Sequence, residues 1–566
     1  MGDYDRMEND DLIEEEDMFV NIVIIGVSMI MIASITIGLF AFPVPNTTTT
    51  GTRTNNITGI CRKTDEEKAC LEAIKHVGEK GTGFDYVKAA INATRTEFLV
   101  LNMPNPLYFK MGLTLLQEQS YRDCLQILEL GKEELESLYN MSNSSVNMSL
   151  MKKDDANVIN SLSAIISYQQ TCYDELLQTN SYQPFQHLLK RTIKLTRITL
   201  AIVNYFFYEN PDINMKMGLD LEDIKHDGYP TWTKVSSIKR KMLEDGFKQP
   251  SVVVAQDGSG QFSTITESLN ACKNKSHGSC IIHVKKGKYE ERVVIPKDLG
   301  HVLMYGDGPM NTIVSGINNS KIFTTSFHAA TFVVMGKGFI CKDMAFTAPS
   351  EIIAAPALLV LSDHAAFFNC KIQGNEGTLF AVAQRQFYHD CEIHGNTDII
   401  KGDSSTLIQN SQIIVKPQSS HDSKQKEQVV SAQYKLDKYE STGFVIQNCT
   451  IIAEGGNNNS LYGTTYLGSP YKIYSTTLVM ESYIGDVINE DGWCEWRDNY
   501  GTETATFLEY NNTGPGAKTG LRVSWNSYQN ISEKDKVVNY TAAKFIQADQ
   551  WLQSIGIPYQ SSFIFG

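Results

Sequence analysis

The sequence predicts an α-helical bundle followed by an all-β parallel β-helix, behind an N-terminal transmembrane or signal-anchor helix. Three observations carry this expectation. Residues 19–42 form an uncharged apolar run, residues 61–207 space their apolar side chains as helices do, and a four-residue pattern recurs about every 20 residues in the second half. At 566 residues the chain is longer than one ordinary core fills, so more than one folded domain is expected.

Residues 1–18 are acidic, with Asp10, Asp11, Glu14, Glu15, Glu16 and Asp17 against a single Arg6. The apolar run that follows can span a bilayer, which takes about 20 residues. A secretory signal normally has a basic start and a small-residue cleavage site. Neither is evident, so the first reading is an uncleaved signal anchor with an acidic cytosolic tail, and the second a cleaved signal. Both flanks are poor in Lys and Arg, so charge gives no orientation. Residues 43–57 are a linker, Thr/Asn-rich from 46 onward, and read as a solvated stalk. Asn-x-Ser/Thr occurs about thirteen times, for example at Asn46, Asn56, Asn92, Asn140, Asn143, Asn147, Asn448 and Asn539. That density favours a lumenal or extracellular body.

The helical domain is expected over residues 58–208. Within 156–177, Val158, Ile159, Leu162, Ile165, Ile166 and Leu176 fall mostly three and four apart. Residues 115–138 and 185–207 behave similarly, which gives a bundle of four or so helices. A linker over 209–249 contains Pro211, Gly228 and Pro230 and the basic run Lys239-Arg240-Lys241. That run reads either as a solvated helix face or as a processing site.

From residue 250 to 566 short β-rich runs alternate with Gly, Asn and Asp. Asn369-Cys370-Lys371-Ile372 returns as Asp390-Cys391-Glu392-Ile393, Asn410-Ser411-Gln412-Ile413 and Asn448-Cys449-Thr450-Ile451, with Gly374 and Gly395 at matching offsets. A period near 20 fits one coil of a parallel β-helix. Equivalent residues of adjacent coils would lie about 4.8 Å apart, within reach of a disulfide between Cys370 and Cys391. Two buried free thiols are the alternative. Eleven cysteines is an odd count, so at least one is unpaired or pairs between chains. The net charge of −14 argues against a nucleic-acid partner, and equally against strong electrostatic capture of a polyanion.

Several motifs, in order, carry a resemblance. Val254-Ala255-Gln256-Asp257-Gly258-Ser259-Gly260, Gly287-Lys288-Tyr289-Glu290-Glu291, Gly306-Asp307-Gly308, Gly395-Asn396-Thr397-Asp398-Ile399-Ile400-Lys401-Gly402, Gly492-Trp493-Cys494-Glu495-Trp496 and Glu509-Tyr510-Asn511-Asn512-Thr513-Gly514-Pro515-Gly516 resemble blocks of the plant pectin methylesterases. The resemblance covers residue 250 to the C-terminus and implies a right-handed parallel β-helix. The helical part resembles the inhibitor-type domain that precedes many of these enzymes. It implies disulfides Cys61–Cys70 and Cys124–Cys172, and it places the basic run at Lys239, Arg240 and Lys241 where that family carries a dibasic processing motif.

A methyl ester can be cleaved by a carboxylate nucleophile with a second carboxyl as acid, then base, and with donors for the oxyanion. The family supplies an Asp nucleophile, an Asp acid/base, two Gln donors and an Arg. Carried over by position, the nucleophile is retained as Asp398. The Tyr-Gln-Asp-Thr-Leu-Tyr pattern reads Asn375-Glu376-Gly377-Thr378-Leu379-Phe380, so Gly377 replaces the acid/base and Glu376 a Gln donor. The other donor position is Ala354. Leu-Gly-Arg-Pro-Trp reads Leu467-Gly468-Ser469-Pro470-Tyr471, so Ser469 replaces the Arg and Tyr471 the Trp. The resemblance makes Phe380 and Tyr471 the substrate-binding aromatics. One role in five survives. Loss of one oxyanion donor costs about 10²–10³ in rate, and loss of the general acid about 10²–10⁴.

Three readings follow. The first is a catalytically degenerate pectinesterase-family protein that binds pectin (homogalacturonan) or restrains active enzymes. The second is an active pectinesterase using Asp398, with Glu376 as substitute acid. The third is an inhibitor of other pectin methylesterases acting through the bundle. No cofactor or metal is expected. The partners are pectin, other pectin methylesterases, and a membrane through the N-terminal helix. The location is the secretory route to the cell wall or exterior.

Overall fold

The computed structural model describes residues 57–101, 113–143, 151–181, 183–209, 250–273, 280–317, 325–349, 354–418, 427–455 and 461–564. The apolar run 19–42 and the basic run Lys239-Arg240-Lys241 lie outside the described residues. Among those described, no helix is long and apolar enough to cross a membrane.

Four long helices form the first domain: α1 (Gly83–Leu101), α2 (Leu115–Ser142), α3 (Asp155–Gln178) and α4 (Gln183–Asn204). The start of α2 is fixed by Thr114, whose hydroxyl accepts from the Gln117 backbone while the Gln117 side chain accepts from the Thr114 backbone. Thr82 and Asp85 make the same reciprocal pair before α1. The shared core takes Phe98, Leu128, Leu162, Ile165, Leu200 and Phe206. Disulfides Cys61–Cys70 and Cys124–Cys172 are both formed.

The spacing rule finds α3 nearly to the residue, yet α3 is buried on both faces: every residue from Val158 to Leu176 is buried except Ser161. Its apolar face meets the bundle core. The opposite face carries Asn160, Ser163, Ser167, Gln170 and Asp174, three and four apart; Gln170 donates to Asp174, and the other four meet the second domain instead of water.

The second domain is a parallel β-helix. All paired strands run parallel, in sheets of eleven, eight and seven strands. The repeat seen in the sequence is one coil. Lys371 pairs with Glu392, Glu392 with Gln412, and Gln412 with Thr450. Inside run Ile372, Ile393, Ile413, Ile451 and Ile484, all at 0% exposure. The Asn or Asp that opens each copy has positive φ: Asn369 48°, Asp390 52°, Asn410 55°, Asn448 52°. Asn and Asp take that left-handed bend at the least cost of any residue with a side chain. They also stack, as Asn448 donates to Asn410 at 2.6 Å.

The disulfide expected between Cys370 and Cys391 is absent; both are buried free thiols. They do occupy equivalent places in adjacent coils, but the Cys370 thiol donates to the Phe368 carbonyl and the Cys391 thiol to the His389 carbonyl, at 3.4 Å each. Coil stacking sets the Cα spacing and leaves the side-chain torsion unfixed. A disulfide not anticipated, Cys272–Cys280, ties the helix Ile265–Lys273 to the strand Cys280–Val284 at the N-terminal end of the β-helix. The remaining thiols, Cys341, Cys449 and Cys494, are also buried and free, which accounts for the odd count without a partner chain.

The seven-stranded sheet comprises β1 (Val293–Ile295), β2 (Phe332–Val334), β3 (Leu358–Val360), β4 (Leu379–Ala381), β5 (Ile400–Gly402), β6 (Gln428–Gln433) and β7 (Thr465–Pro470). The bundle sits on its outer face, where Ile127, Leu130, Ala164 and Tyr168 pack against Val333, Leu359, Phe380 and Tyr434. Cys172 ties α3 to α2 inside the bundle core. Replacing Cys124 and Cys172 by Ala should therefore cost the bundle about 2–4 kcal/mol, read as a lower denaturation midpoint for the helical signal.

Candidate active site

The turn between β-strand Glu392–Gly395 and β5 carries Asp398, which has φ of 45° and is 8% exposed. Its charge acts on the Tyr434 and Tyr471 phenols and the Cys494 thiol, which burial already pushes up. One coil back, the turn before β4 carries Glu376 and Gly377. Glu376 bridges in parallel to Thr397, and the Gly377 amide donates to the Thr397 carbonyl at 3.2 Å. Asp398 and Gly377 thus lie in equivalent turns of adjacent coils.

Gly377 has φ of 66°, and a Cβ built there would lie 2.7 Å from Lys401 Cε and 2.8 Å from Lys401 Nζ. Lys401 fills the space into which a side chain at position 377 would project. It belongs to a row across the outer face of the sheet, set by strand register: Val333, Leu359, Phe380, Lys401, Ala432 and Ser469. Lys401 is the one charged member of that row. Its ammonium lies 4.8 Å over the Phe380 ring.

The other predicted positions are scattered around this pair. Ala354 is exposed, ahead of β3. Ser469, two strands beyond Lys401, is buried beside the Cys494 thiol. Tyr471 stacks on Tyr434 at 3.9 Å and meets Trp496 at 4.7 Å with the rings tilted by 52°. Glu376 is half-buried.

The groove is closed by the bundle. Lys472 pairs with Asp174 of α3 at 3.1 Å, each side chain 8% exposed. Glu175 accepts from the Ser326 backbone at 2.8 Å, Ser167 donates to Asp403 at 2.9 Å, and the Tyr168 hydroxyl donates to the Leu361 carbonyl at 2.5 Å. Asp123 of α2 accepts from the Thr325 hydroxyl. Sequence reasoning missed this face. Its signal was the polar stripe of α3, which breaks the usual expectation that the side of a helix away from the bundle core meets water.

Burial raises Glu175 up to about 7 from an ordinary 4.5, although the Ser326 amide and Lys401 pull it down. Asp123 is raised for the same reason. A carboxyl whose docked pKa is raised favours docking fully below its free pKa and ceases to do so as pH rises through the docked value. Docking should therefore weaken between about pH 4.5 and 7, by about 3 kcal/mol from Glu175. His328, next to Asp123 and lowered by burial, works the other way below about pH 6.5. Amide exchange of α3 should be slower at about pH 5 than at 7.5 after correction for intrinsic rates, and Glu175→Gln should flatten that dependence.

The family model described as pectinesterase matches residues 251–549. The chain belongs to the pectinesterase family. A second family model, plant invertase/pectin methylesterase inhibitor, matches residues 55–202 of this pectinesterase-family chain. A pectinesterase/pectinesterase inhibitor of Prunus persica is 35% identical over 448 residues, covering 78% of this chain and 82% of its own. Pectinesterase/pectinesterase inhibitor 3 of Arabidopsis thaliana is 30% identical over 533 residues, covering 88% and 89%. Among solved structures, the pectin methylesterase from carrot superposes with a TM-score of 0.53 at 34% identity, over 56% of this chain and 99% of that one. Its likeness accords with a right-handed pectinesterase β-helix.

Proposed function

We propose that this pectinesterase-family protein is catalytically degenerate and works in the cell wall by binding pectin or restraining active enzymes. The observation that carries the reading is Lys401 standing where the acid/base carboxyl would project, beside a Gly377 that has no side chain. With the Gln donors and the Arg also replaced, Asp398 keeps a nucleophile's place without a proton donor or an oxyanion site. The exposed sequon residues Asn92, Asn140, Asn143 and Asn539 support a secretory route. Cleavage at Lys239-Arg240-Lys241 would free the groove. The inhibitor reading asks the bundle to act on other enzymes, yet its polar face is taken up by its own β-helix. Full-length protein given methyl-esterified pectin should release methanol no faster than its Asp398→Ala variant; release dependent on Asp398 would refute degeneracy.

A further inference from the structure

Lys401 is 8% exposed, and among the described residues no oxygen accepts a hydrogen bond from its ammonium or lies within ion-pair distance. A charge so enclosed ordinarily has a partner. In the closed chain the charge of Glu175 is felt by Lys401 across the interface. Burial favours the neutral form of Glu175, so even there Lys401 lacks a settled anion. Further along the same groove Asp174, the neighbour of Glu175, holds Lys472 at 3.1 Å. At the far edge Glu129 and Glu133 of α2 hold Lys297. The groove presents spaced cations, and a helical surface meets them with spaced carboxyls.

We propose that this groove is a binding site for de-esterified uronate chains, in which Lys401 and Lys472 take sugar carboxylates and α3 occupies those places while the bundle is docked. The inference rests on the degenerate reading above. Where an esterase would offer a proton-donating carboxyl to a methyl ester, this chain offers a fixed ammonium to the carboxylate that ester hydrolysis leaves. Asp398 and Glu376 oppose a dense anionic ligand, but as acceptors they suit the sugar hydroxyls between carboxylates. The net charge of −14 misleads here. Nine carboxylates and two arginines lie in residues 1–57, so half of it sits ahead of both folded domains.

The test titrates full-length protein with de-esterified and with fully methyl-esterified oligogalacturonides of equal length, by calorimetry at two salt concentrations, and scores methanol in the same samples. Asp174→Asn loosens the bundle and opens the groove. That variant should bind the de-esterified oligomer about tenfold more tightly than wild type does, and about tenfold more tightly than it binds the ester, with affinity falling as salt rises. Adding Lys401→Met, or Lys401→Gln as a second probe, should cost about tenfold without lowering the melting temperature of the β-helix. Equal or tighter binding of the ester without methanol would overturn this inference and leave degeneracy standing, as would unchanged affinity in both lysine variants. Methanol release dependent on Asp398 would overturn degeneracy itself. Binding of neither oligomer would overturn the uronate site and any pectin-binding role together.

Discussion

Asp174→Asn should release the bundle from the groove. Lys472 and Asp174 are both almost fully buried at the interface, and neutralising Asp174 takes away the carboxylate 3.1 Å from the ammonium in a dry contact. The cost of such a break is about 3–5 kcal/mol, which corresponds to a roughly 10²–10⁴-fold loss of docking. The contacts of Tyr168, Ser167 and Glu175 do not compensate, because none places an anion at Lys472. Amide exchange over α3 should accelerate by that factor, while the Ile372–Ile393–Ile413 ladder inside the β-helix keeps its protection. The double variant Asp174→Asn with Lys472→Met should recover much of the docking, because it leaves no stranded charge. If the double variant docks no better than the single, the ion pair is not what holds the groove shut.

Restoring a carboxyl at position 377 should fail while Lys401 remains. The lysine end is flexible and can move aside from a new Cβ, but its ammonium would then pair with the new carboxylate and hold it ionised. An ionised group cannot donate the proton that the leaving methanol needs. Gly377→Asp, Glu376→Gln, Ala354→Gln and Ser469→Arg together should therefore stay about 10²–10⁴-fold below the same set carrying Lys401→Phe. That fifth change follows the family signature, whose residue at this place is Phe. The five-fold variant, on the Asp174→Asn background so that the groove is open, should release methanol measurably, and Asp398→Ala should abolish it. If the four-fold set matches the five-fold set, Lys401 is not the obstacle.

Much of the fold was legible because its signals are local. Residues Asn369, Asp390, Asn410 and Asn448 mark a bend that only a few residue types take readily, and Ile372, Ile393, Ile413 and Ile451 mark the inward ladder. The Cys61–Cys70 and Cys124–Cys172 pairs followed from resemblance. What failed, or was missed, depends on direction or on distant contact. Cys370 and Cys391 stack as expected yet point their thiols at backbone carbonyls. Cys272 and Cys280 belong to no repeat copy, and only their eight-residue separation hinted at pairing. The departures from the family pattern could be read position by position. That Lys401 stands beside Gly377 could not, because the two are neighbours only through coil register. The docking face was missed for the same reason. Ser167 and Asp174 look like solvated polar residues until the β-helix is laid against them.

The central claim is that the groove lacks the groups for ester cleavage, not merely access to them. Silence from the docked chain is not enough, since the bundle would mask an intact site equally well. The decisive measurement is methanol release from methyl-esterified pectin by the Asp174→Asn variant, with its docking loss verified by amide exchange, beside the same variant carrying Asp398→Ala. The account predicts that the two are indistinguishable. Methanol release at the rate of an intact family member, abolished by Asp398→Ala, would contradict it.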